Sequence, residues 1–349
     1  MLYSVVIPCY RSDQTIRTVV ETTIEQFRKM DIGDVEFILV DDCSPDGGKT
    51  VAALRDLVKE YDCVKVIELA KNGGQHNAVM AGLHYTSGDI ILSMDDDLQT
   101  RPSEIPKILA EMENGGYDIV YGYYPHKKHS WWRNFGTWMN YITVRILLKK
   151  PKDLRTSSFW AIKRYVRDYA IQYPSEFTHL QGLFLRITRN ISCVPIDHWE
   201  REVGKSNYTF SKLYSLWSNI MGFSVVPLRI ATKFGYFFSA VGVILALYAV
   251  ISKIIHPKTP MGWPSIMAAL CFFAGLILLF MGLIGEYIGR IFLQVSNNPQ
   301  YVVRRIDEHG KEPYFIGDDG TMYHLVSVEM KPEDLEKYSQ PVKDEEAKQ

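Results

Sequence analysis

The distribution of apolar positions divides the chain into two parts. Through about residue 200, short apolar runs alternate with stretches in which apolar residues recur every three or four positions. This alternation is typical of strands and amphipathic helices in an α/β domain with a mostly parallel sheet. From residue 234 to residue 289 the sequence is instead overwhelmingly apolar. The pattern therefore predicts a globular α/β domain followed by a membrane-associated segment.

Five apolar runs in the first part predict strands, and several of the stretches between them predict helices. The predicted strands span residues 4–7, 35–40, 64–69, 88–92 and 118–122, and the predicted helices include 15–30, 50–61 and 105–112. The side of the first helix that is expected to face the core carries Ile16, Val19, Val20, Thr23, Ile24 and Phe27. Two of the strands run directly into acidic residues, at the edge where open α/β sheets place their ligand crevice.

Three adjacent carboxylates follow the strand at 88–92. In an extended segment alternate residues share a face, so Asp95, Asp97 and Gln99 are expected to point the same way while Asp96 turns aside. Adjacent acids repel one another, and oxygen ligands at a strand end suit a hard cation such as Mg²⁺ or Mn²⁺. The alternative is a solvated acidic turn that caps the next helix near Ser103.

A second acidic turn and a glycine-containing loop lie on the neighbouring strands. The strand at 35–40 ends in Asp41 and Asp42, and the strand at 64–69 is followed by the loop 72–77 at a helix start. Backbone N–H groups at that start are compatible with a phosphate cradle, although a plain helix-entry turn is the favoured interpretation. The loop lacks the Walker and G-x-G-x-x-G spacings, so neither a P-loop NTPase nor a dinucleotide-binding dehydrogenase is indicated.

The apolar part of the chain predicts two membrane helices. Residues 234–255 and 264–284 are each about as long as a bilayer span requires, and Lys and Arg on their outer flanks place both flanks in the cytoplasm. Residues 208–233 predict amphipathic helices at the membrane surface, with a packed soluble helix as the alternative. The resulting division is a globular domain at 1–207, interfacial helices at 208–233, two transmembrane helices within 234–289 and a cytoplasmic tail at 290–349.

Composition excludes several other classes. A formal net charge of −1 over 349 residues gives no electrostatic case for binding nucleic acid. The five cysteines include no C-x-x-C pair, so neither a zinc site nor a disulfide framework is indicated. Small residues in both predicted membrane helices are compatible with a homo-oligomer.

The ordered motifs resemble a known family. The sequence Val-Ile-Pro-Cys-Tyr at 6–10, the acidic turn 40–47, the loop and helix start 72–82 and the Asp-Asp-Asp-Leu-Gln at 95–99 look like family 2 glycosyltransferases of the GT-A fold. The segments 198–208 and 285–292 are similar to those of polyisoprenyl-phosphate glycosyltransferases, the group of dolichyl-phosphate mannose synthase, GtrB-type glucosyl transferases and undecaprenyl-phosphate aminoarabinose transferase. The resemblance covers residues 4 to about 305.

The resemblance implies roles for individual residues. Those matched to the nucleotide-sugar donor are Pro8, Tyr10, Asp41, Asp42, Asp46, Asn72, Gln75 and Asp95. Those matched to the metal are Asp95, Asp97 and Gln99, and those assigned to catalysis are Asp96, Asp97, Arg133 and Arg201. Those assigned to the acceptor or its phosphate are Arg133, Arg155, Ser157, Arg201, Lys205 and Ser206.

Two positions depart from the family pattern. Arg155 stands close to where GtrB-like and aminoarabinose-transferase members carry an acid, and Tyr123 and Tyr124 follow Gly122 where mannose synthases carry an arginine. Both departures concern contacts with the acceptor and the sugar. An acid at the first position is not required for the chemistry, because a lipid monophosphate is largely a dianion at neutral pH and is itself a competent nucleophile.

The resemblance implies a metal-dependent enzyme with Mg²⁺ or Mn²⁺ as cofactor. The expected reaction is the inverting transfer of one sugar from a nucleotide-sugar, favoured as a UDP-sugar, to undecaprenyl phosphate. The expected location is the bacterial inner membrane, with two membrane passes and with the catalytic domain and both termini in the cytoplasm. The alternatives are a transferase of the same fold that acts on a glycan or lipid diphosphate, and a non-catalytic scaffold that binds lipid phosphate.

Overall fold

The computed structural model describes residues 1–125, 151, 153–173, 178–197, 226–255, 262–295, 299–316 and 322–324. The chain divides into two compact units. The first comprises Met1–Asn134, Pro151–Tyr208 and Pro299–Gln349, and the second comprises Phe135–Lys150 and Thr209–Asn298.

The first unit contains the strands and the shorter helices. Its strands are β1 (Leu2–Cys9), β2 (Asp34–Asp41), β3 (Val64–Leu69), β4 (Ile90–Ser93), β5 (Ile119–Tyr123), β6 (Trp160–Lys163), β7 (Ile191–Pro195), β8 (Val303–Glu308), β9 (Tyr314–Ile316) and β10 (Met322–His324). Its helices are α1 (Ile16–Met30), α2 (Lys49–Glu60), α3 (Gln75–His84), α4 (Ile105–Gly115), α5 (Arg164–Ala170) and α6 (Leu180–Ile187).

These strands form one sheet in the order β10-β9-β8-β3-β2-β1-β4-β6-β5-β7. The central strands β3, β2, β1 and β4 run parallel, whereas β6 pairs antiparallel with β4 and with β5. Strand β1 pairs with β2 up to Cys9↔Asp41 and with β4 up to Val6↔Ser93. The residues that follow β2 and β4 therefore leave the sheet at one edge, as the sequence predicted.

The core lies on both faces of β1. Val5, Ile7 and Cys9 face a buried cluster that includes residues of α1, α2 and α4. On the other face α3 approaches so closely that a Cβ at Gly82 would lie 2.5 Å from Val6 Cγ1. Because helices cover both faces, β1 is buried along almost its whole length. This is the α/β architecture of the GT-A fold that the sequence predicted.

Strand β8 extends the sheet beyond β3, between β3 and β9, and was not predicted. It pairs antiparallel with β3, from Lys65↔Glu308 to Leu69↔Val303, although the sequence analysis assigned this stretch to the cytoplasmic tail 290–349. Charged side chains dominate β8 and pair with their neighbours, since Arg304 bonds Glu68 at 3.1 Å and Lys65 bonds Glu308 at 2.6 Å. A strand built on ion pairs lacks the apolar run by which strands are recognised in a sequence.

The second unit contains two long helices, α7 (Val226–Ile255) and α8 (Trp263–Val295). Both exceed the segments predicted for them, since α7 begins before residue 234 and α8 continues past residue 284. The remainder of the predicted interfacial segment, 208–225, lies outside the described residues.

Among the helices that the structure describes, none combines the length and the apolar content needed to cross a membrane.

Candidate active site

The acidic cluster begins where β4 ends. Met94, the residue after the strand, is buried in the core, and its N–H donates to Val6 O over 3.3 Å. Its sulfur also lies 3.7 Å from the hydroxyl of Thr23 on α1. This anchored residue fixes the point at which the chain turns into Asp95, Asp96 and Asp97.

Asp95 is held from two directions. Gln75 Nε2, at the start of α3, donates to Asp95 Oδ1 over 2.6 Å, and the Ser158 hydroxyl donates to Asp95 Oδ2. Burial raises the pKa of Asp95 to about 6, and the neighbouring charges of Asp97 and Asp96 add to the rise despite these two hydrogen bonds. The ionised form of Asp95 is therefore under electrostatic strain that a nearby cation would relieve.

Asp96 points toward the end of β1. Its Oδ2 accepts hydrogen bonds from the backbone N–H of Tyr10 at 3.0 Å and from the Ser12 hydroxyl. Asp97 instead accepts the N–H of Gln99 at 3.1 Å, across a turn in which Leu98 has a φ of 58°. The carboxylates of Asp95 and Asp96 thus have different partners, so the cluster is more than a solvated acidic turn.

Asp42 binds the backbone of the glycine-containing loop. Its two carboxylate oxygens accept the N–H groups of Gly73 at 2.7 Å and Gly74 at 2.9 Å, and Asn72 Nδ2 donates to its carbonyl at 3.1 Å. Those two amides are therefore bonded to a carboxylate, which favours the helix-entry turn over the phosphate cradle. Nothing in the sequence indicates that a side chain from the neighbouring strand would bind these loop amides.

The remaining predicted donor residues have diverse environments. Asp41 is buried and accepts from the Ser44 hydroxyl at 2.6 Å, and burial raises the pKa of both Asp41 and Asp42. Pro8 is buried within β1, whereas Tyr10 is 46% exposed. The exposed ring of Tyr10 offers a surface against which a nucleobase could stack.

Asp46 caps α2. Its carboxylate accepts from the N–H groups of Gly48, Lys49 and Thr50, each within 3.1 Å, and from the Thr50 hydroxyl at 2.5 Å. Burial opposes the change, but these hydrogen bonds lower the pKa of Asp46. The structure therefore shows a helix-capping environment for a residue that was predicted to bind the donor.

The two serines before β6 have different partners. Ser157 Oγ donates to Gly122 O over 2.5 Å and accepts from Phe159 N, so it braces the strand ends, although it was predicted to bind the acceptor. Ser158, which was not predicted, bonds Asp95 directly. Neither serine lies in a motif with a recognisable spacing, so the sequence offers no basis for choosing between them.

Aromatic side chains adjoin the cluster after β5. The Tyr124 hydroxyl bonds the Thr100 hydroxyl, and burial, together with the charges of Asp95, Asp97 and Glu104, raises the pKa of Tyr124 to about 12. Tyr123 lies under the exposed Arg155, whose guanidinium carbon is 4.9 Å from the ring centroid. The predicted Arg133, Arg201, Lys205 and Ser206 lie outside the described residues.

The donor atoms at this edge of the sheet suit a hard cation only in part. Asp95 and Asp97 supply carboxylate oxygens whose mutual repulsion a cation would offset. Within the residues that the structure describes, no group of three or more His, Cys, Asp or Glu side chains converges to hold a metal. The protein atoms therefore fit an incomplete oxygen shell of the kind that Mg²⁺ completes with water and substrate phosphates.

Comparison with known proteins places the chain in a family. The family described as Glycosyl transferase family 2 matches residues 4–171, and the GtrB C-terminal hairpin matches residues 226–291. The undecaprenyl-phosphate 4-deoxy-4-formamido-L-arabinose transferase of Proteus mirabilis is 30% identical over 310 residues, which cover 87% of this chain and 93% of that protein. The protein of the same name from Enterobacter sp. is 30% identical over 314 residues, which cover 88% and 94%.

Among solved structures, glucosyl-3-phosphoglycerate synthase of Mycobacterium tuberculosis aligns with a TM-score of 0.45 and 17% identity, over 63% of this chain and 78% of that one. The same enzyme has been solved with Mn²⁺, uridine diphosphate and phosphoglyceric acid, and that structure aligns with a TM-score of 0.44 and 18% identity, over 63% of this chain and 76% of that one. The family matches and the two curated relatives, taken with the α/β sheet and its acidic edge, identify this chain as a glycosyltransferase that belongs to family 2, in the group of polyprenyl-phosphate glycosyltransferases.

Proposed function

We propose that this enzyme transfers one sugar from a nucleotide-sugar, specifically a UDP-sugar, to undecaprenyl phosphate, with inversion at the anomeric carbon. The observation that carries the proposal is the contact between Gln75 and Asp95. This contact joins the glycine-containing loop 72–77, from here on called the donor loop, to the acidic cluster at one edge of the sheet. The names of the curated relatives support the same acceptor.

The donor nucleotide is proposed to lie across the ends of β1, β2 and β3. The exposed ring of Tyr10 is available to the base, whereas Asp41, also assigned to the donor, is buried at the end of β2 and bonded to the Ser44 hydroxyl. Asp42 acts by shaping the loop, because both of its oxygens are bonded to loop amides. This arrangement presents the sugar-bearing end of the donor toward Asp95 and Asp97.

Asp95 and Asp97, with Gln99, are proposed to hold Mg²⁺ or Mn²⁺. The crowding of their charges is the feature of this chain that favours a cation. When bound there, the metal supplies positive charge beside the departing nucleoside diphosphate. Asp96 would orient the donor from the side of β1, where its own hydrogen bonds to Tyr10 and Ser12 fix its position.

The acceptor phosphate is proposed to bind to basic residues on the opposite side of the donor sugar. Arg155 is exposed and its guanidinium is oriented by Tyr123, and Arg133, Arg201, Lys205 and Ser206 are predicted to join it. A phosphate monoester dianion attacks without a general base, because its oxygen is already deprotonated at neutral pH. Attack from the side opposite the leaving group inverts the anomeric carbon.

The second unit, with helices α7 and α8, is proposed to attach the enzyme to the bacterial inner membrane, with the catalytic unit in the cytoplasm. Large apolar side chains remain exposed along both helices, including Tyr236 at 74%, Ile254 at 73% and Leu278 at 68%. Such exposure is stabilised by lipid rather than by water. Association into a homo-oligomer stays a prediction.

The proposal is tested by measuring sugar transfer from a panel of radiolabelled UDP- and GDP-sugars to undecaprenyl phosphate. The full-length protein is reconstituted in liposomes with Mg²⁺ or Mn²⁺, and EDTA and the Asp97→Asn variant serve as controls. Labelled lipid from one UDP-sugar, lost in both controls, is the expected result. Transfer from a GDP-sugar alone would contradict the donor assignment, and transfer only to a lipid diphosphate would contradict the acceptor.

A further inference from the structure

Gln300 and Val302, in the segment that follows α8, contact the two ends of the donor loop. Val302 O accepts the N–H of Ala70 at 2.8 Å, where this loop begins. Gln300 Nε2 donates to Asn77 Oδ1 over 3.1 Å, where the loop has become the first turn of α3. Asn77 and Gln300 are 223 positions apart in the sequence, so this contact exists only in the folded chain.

Gln300 reaches two buried partners through one amide nitrogen. Besides Asn77, it donates to the hydroxyl of Thr178, and both partners are almost fully buried. The amide of Asn77 is itself oriented, because its Nδ2 donates to Gly73 O over 3.0 Å. Rotation of the Asn77 amide would therefore break its hydrogen bond to Gly73 O or the one from Gln300. Because a buried polar group without a partner destabilises the fold, this rotation is unfavourable.

The residues of the loop next to Asn77 bind two acids of the site, Asp42 and Asp95. Gly73 and Gly74 donate to Asp42, and the next residue, Gln75, donates to Asp95. The loop also has little free space on the side of α3, since a Cβ at Gly73 would lie 3.2 Å from Asn77 Cβ. Displacement of Asn77 would thus move the three residues that bind Asp42 and Asp95.

We propose that Gln300 is a positioning residue for the donor site. It holds Asn77, and through Asn77 it keeps Gly73 and Gly74 on Asp42 and Gln75 on Asp95. Gln300 does not touch the donor, and its effect on activity rests on the proposed function. In the sequence, Gln300 lies between α8, which ends at Val295, and β8, which begins at Val303.

The neighbouring residue provides a matched control. The Tyr301 hydroxyl lies 2.7 Å from His84 Nδ1, and His84 is the last residue of α3. The same segment therefore contacts both ends of α3, but only the contact of Gln300 is next to the donor loop. Tyr301→Phe removes a hydrogen bond to the same helix without disturbing the Asn77 end.

The experiment compares the full-length wild type with Gln300→Ala, Asn77→Ala, the double variant and Tyr301→Phe, all in the same detergent. Amide hydrogen exchange is followed through residues 70–80, and the binding of UDP with Mn²⁺ is measured by calorimetry. In Gln300→Ala, exchange at Gly73 and Gly74 is expected to accelerate about three- to tenfold and the Kd for UDP to rise by a similar factor. Tyr301→Phe is expected to change neither, and the double variant to match Asn77→Ala.

Three outcomes would overturn the role of Gln300. They are unchanged exchange at Gly73 and Gly74 in Gln300→Ala, acceleration spread over the whole sheet, or an equal effect from Tyr301→Phe. A wild type that binds no UDP would instead contradict the proposed donor. The exchange data would then still decide whether Gln300 holds the loop, because that measurement needs no ligand.

Discussion

Two groups of acids follow the two parallel strands that flank β1, and the structure gives them different partners. Asp42, after β2, is bonded through both carboxylate oxygens to backbone amides of the glycine-containing loop. Within the part of the chain that the structure describes, Asp95, after β4, is bonded only to the side chains of Gln75 and Ser158. Backbone partners cannot leave without moving the chain, whereas side-chain partners can rotate away when a ligand arrives. The carboxylate of Asp95 is therefore more easily freed for a ligand than that of Asp42.

The largest effect expected from this comparison is that of Asp95→Asn. The substitution keeps the size of the side chain and an oxygen for Gln75, but it removes the charge that favours a cation. Transfer is expected to fall on the order of 100-fold or more, while the free energy of unfolding is unchanged or higher, because the ionised carboxylate is destabilised in the fold. Initial rates and thermal unfolding measured on the same preparation check both parts.

A lower free energy of unfolding in Asp95→Asn, alongside the loss of transfer, would contradict this assignment. Asp95 would then serve the fold, as Asp42 does. The matched variant is Asp97→Asn, which removes the neighbouring charge and is expected to lower transfer in the same way.

The next effect is expected from Asp42→Asn. One amide oxygen replaces two carboxylate oxygens, so one of the bonds from Gly73 and Gly74 is lost and the side-chain NH₂ faces an N–H donor. The free energy of unfolding is expected to fall by about 1–3 kcal/mol. Donor binding should weaken at the same time, because the loop loses its anchor.

Denaturant titration and UDP binding test the Asp42→Asn prediction. Asp46→Asn offers a control at a capping site, where only a smaller loss of stability is expected. Weaker donor binding with unchanged stability would show that Asp42 contacts the donor directly and would remove the contrast with Asp95.

A carboxylate far from the site gives a purely structural reference. Burial would raise the pKa of Glu308, but hydrogen bonds from Lys311, Lys65 and Tyr314 lower that pKa to about 2. Because the pKa is depressed in the fold, Glu308 stabilises the protein above pH 4.5 and this contribution is lost as the pH falls toward 2. The full contribution is on the order of 3 kcal/mol.

The measurement for Glu308 is thermal stability at pH 6 and at pH 3. Glu308→Gln is expected to cost stability at pH 6 and less at pH 3, with sugar transfer at neutral pH retained. The exposed Glu312→Gln is the control and should show no such difference. A pH dependence identical to that of the wild type would refute the assignment.

The smallest effects are expected from the paired serines before β6. Ser158→Ala removes the hydroxyl that orients Asp95 and is expected to lower transfer by about 10-fold with little change in stability. Ser157→Ala removes a brace between Gly122 and Phe159 and is expected to cost about 1 kcal/mol of stability with transfer nearly unchanged. Equal effects of the two variants on transfer would mean that neither serine is specific to the acidic cluster.

The sequence by itself determined the α/β architecture and the family. The residues expected on the buried side of α1, from Ile16 to Phe27, are those that are buried in the structure. The acids after two strands were expected at one edge of the sheet, and the parallel pairing of β1 with β2 and β4 confirms it. These features are encoded locally, in the period of apolar positions and in the residues that directly follow each strand.

The tertiary structure alone decided which partners each polar group has. The bonds of Asp42 to Gly73, of Ser158 to Asp95 and of Gln300 to Asn77 join residues that are 31, 63 and 223 positions apart. Strand β8 likewise forms from a charged segment that pairs with β3. A hydrogen bond between distant residues leaves no periodic trace in the sequence, because it depends on where two chain segments meet and not on the composition of either.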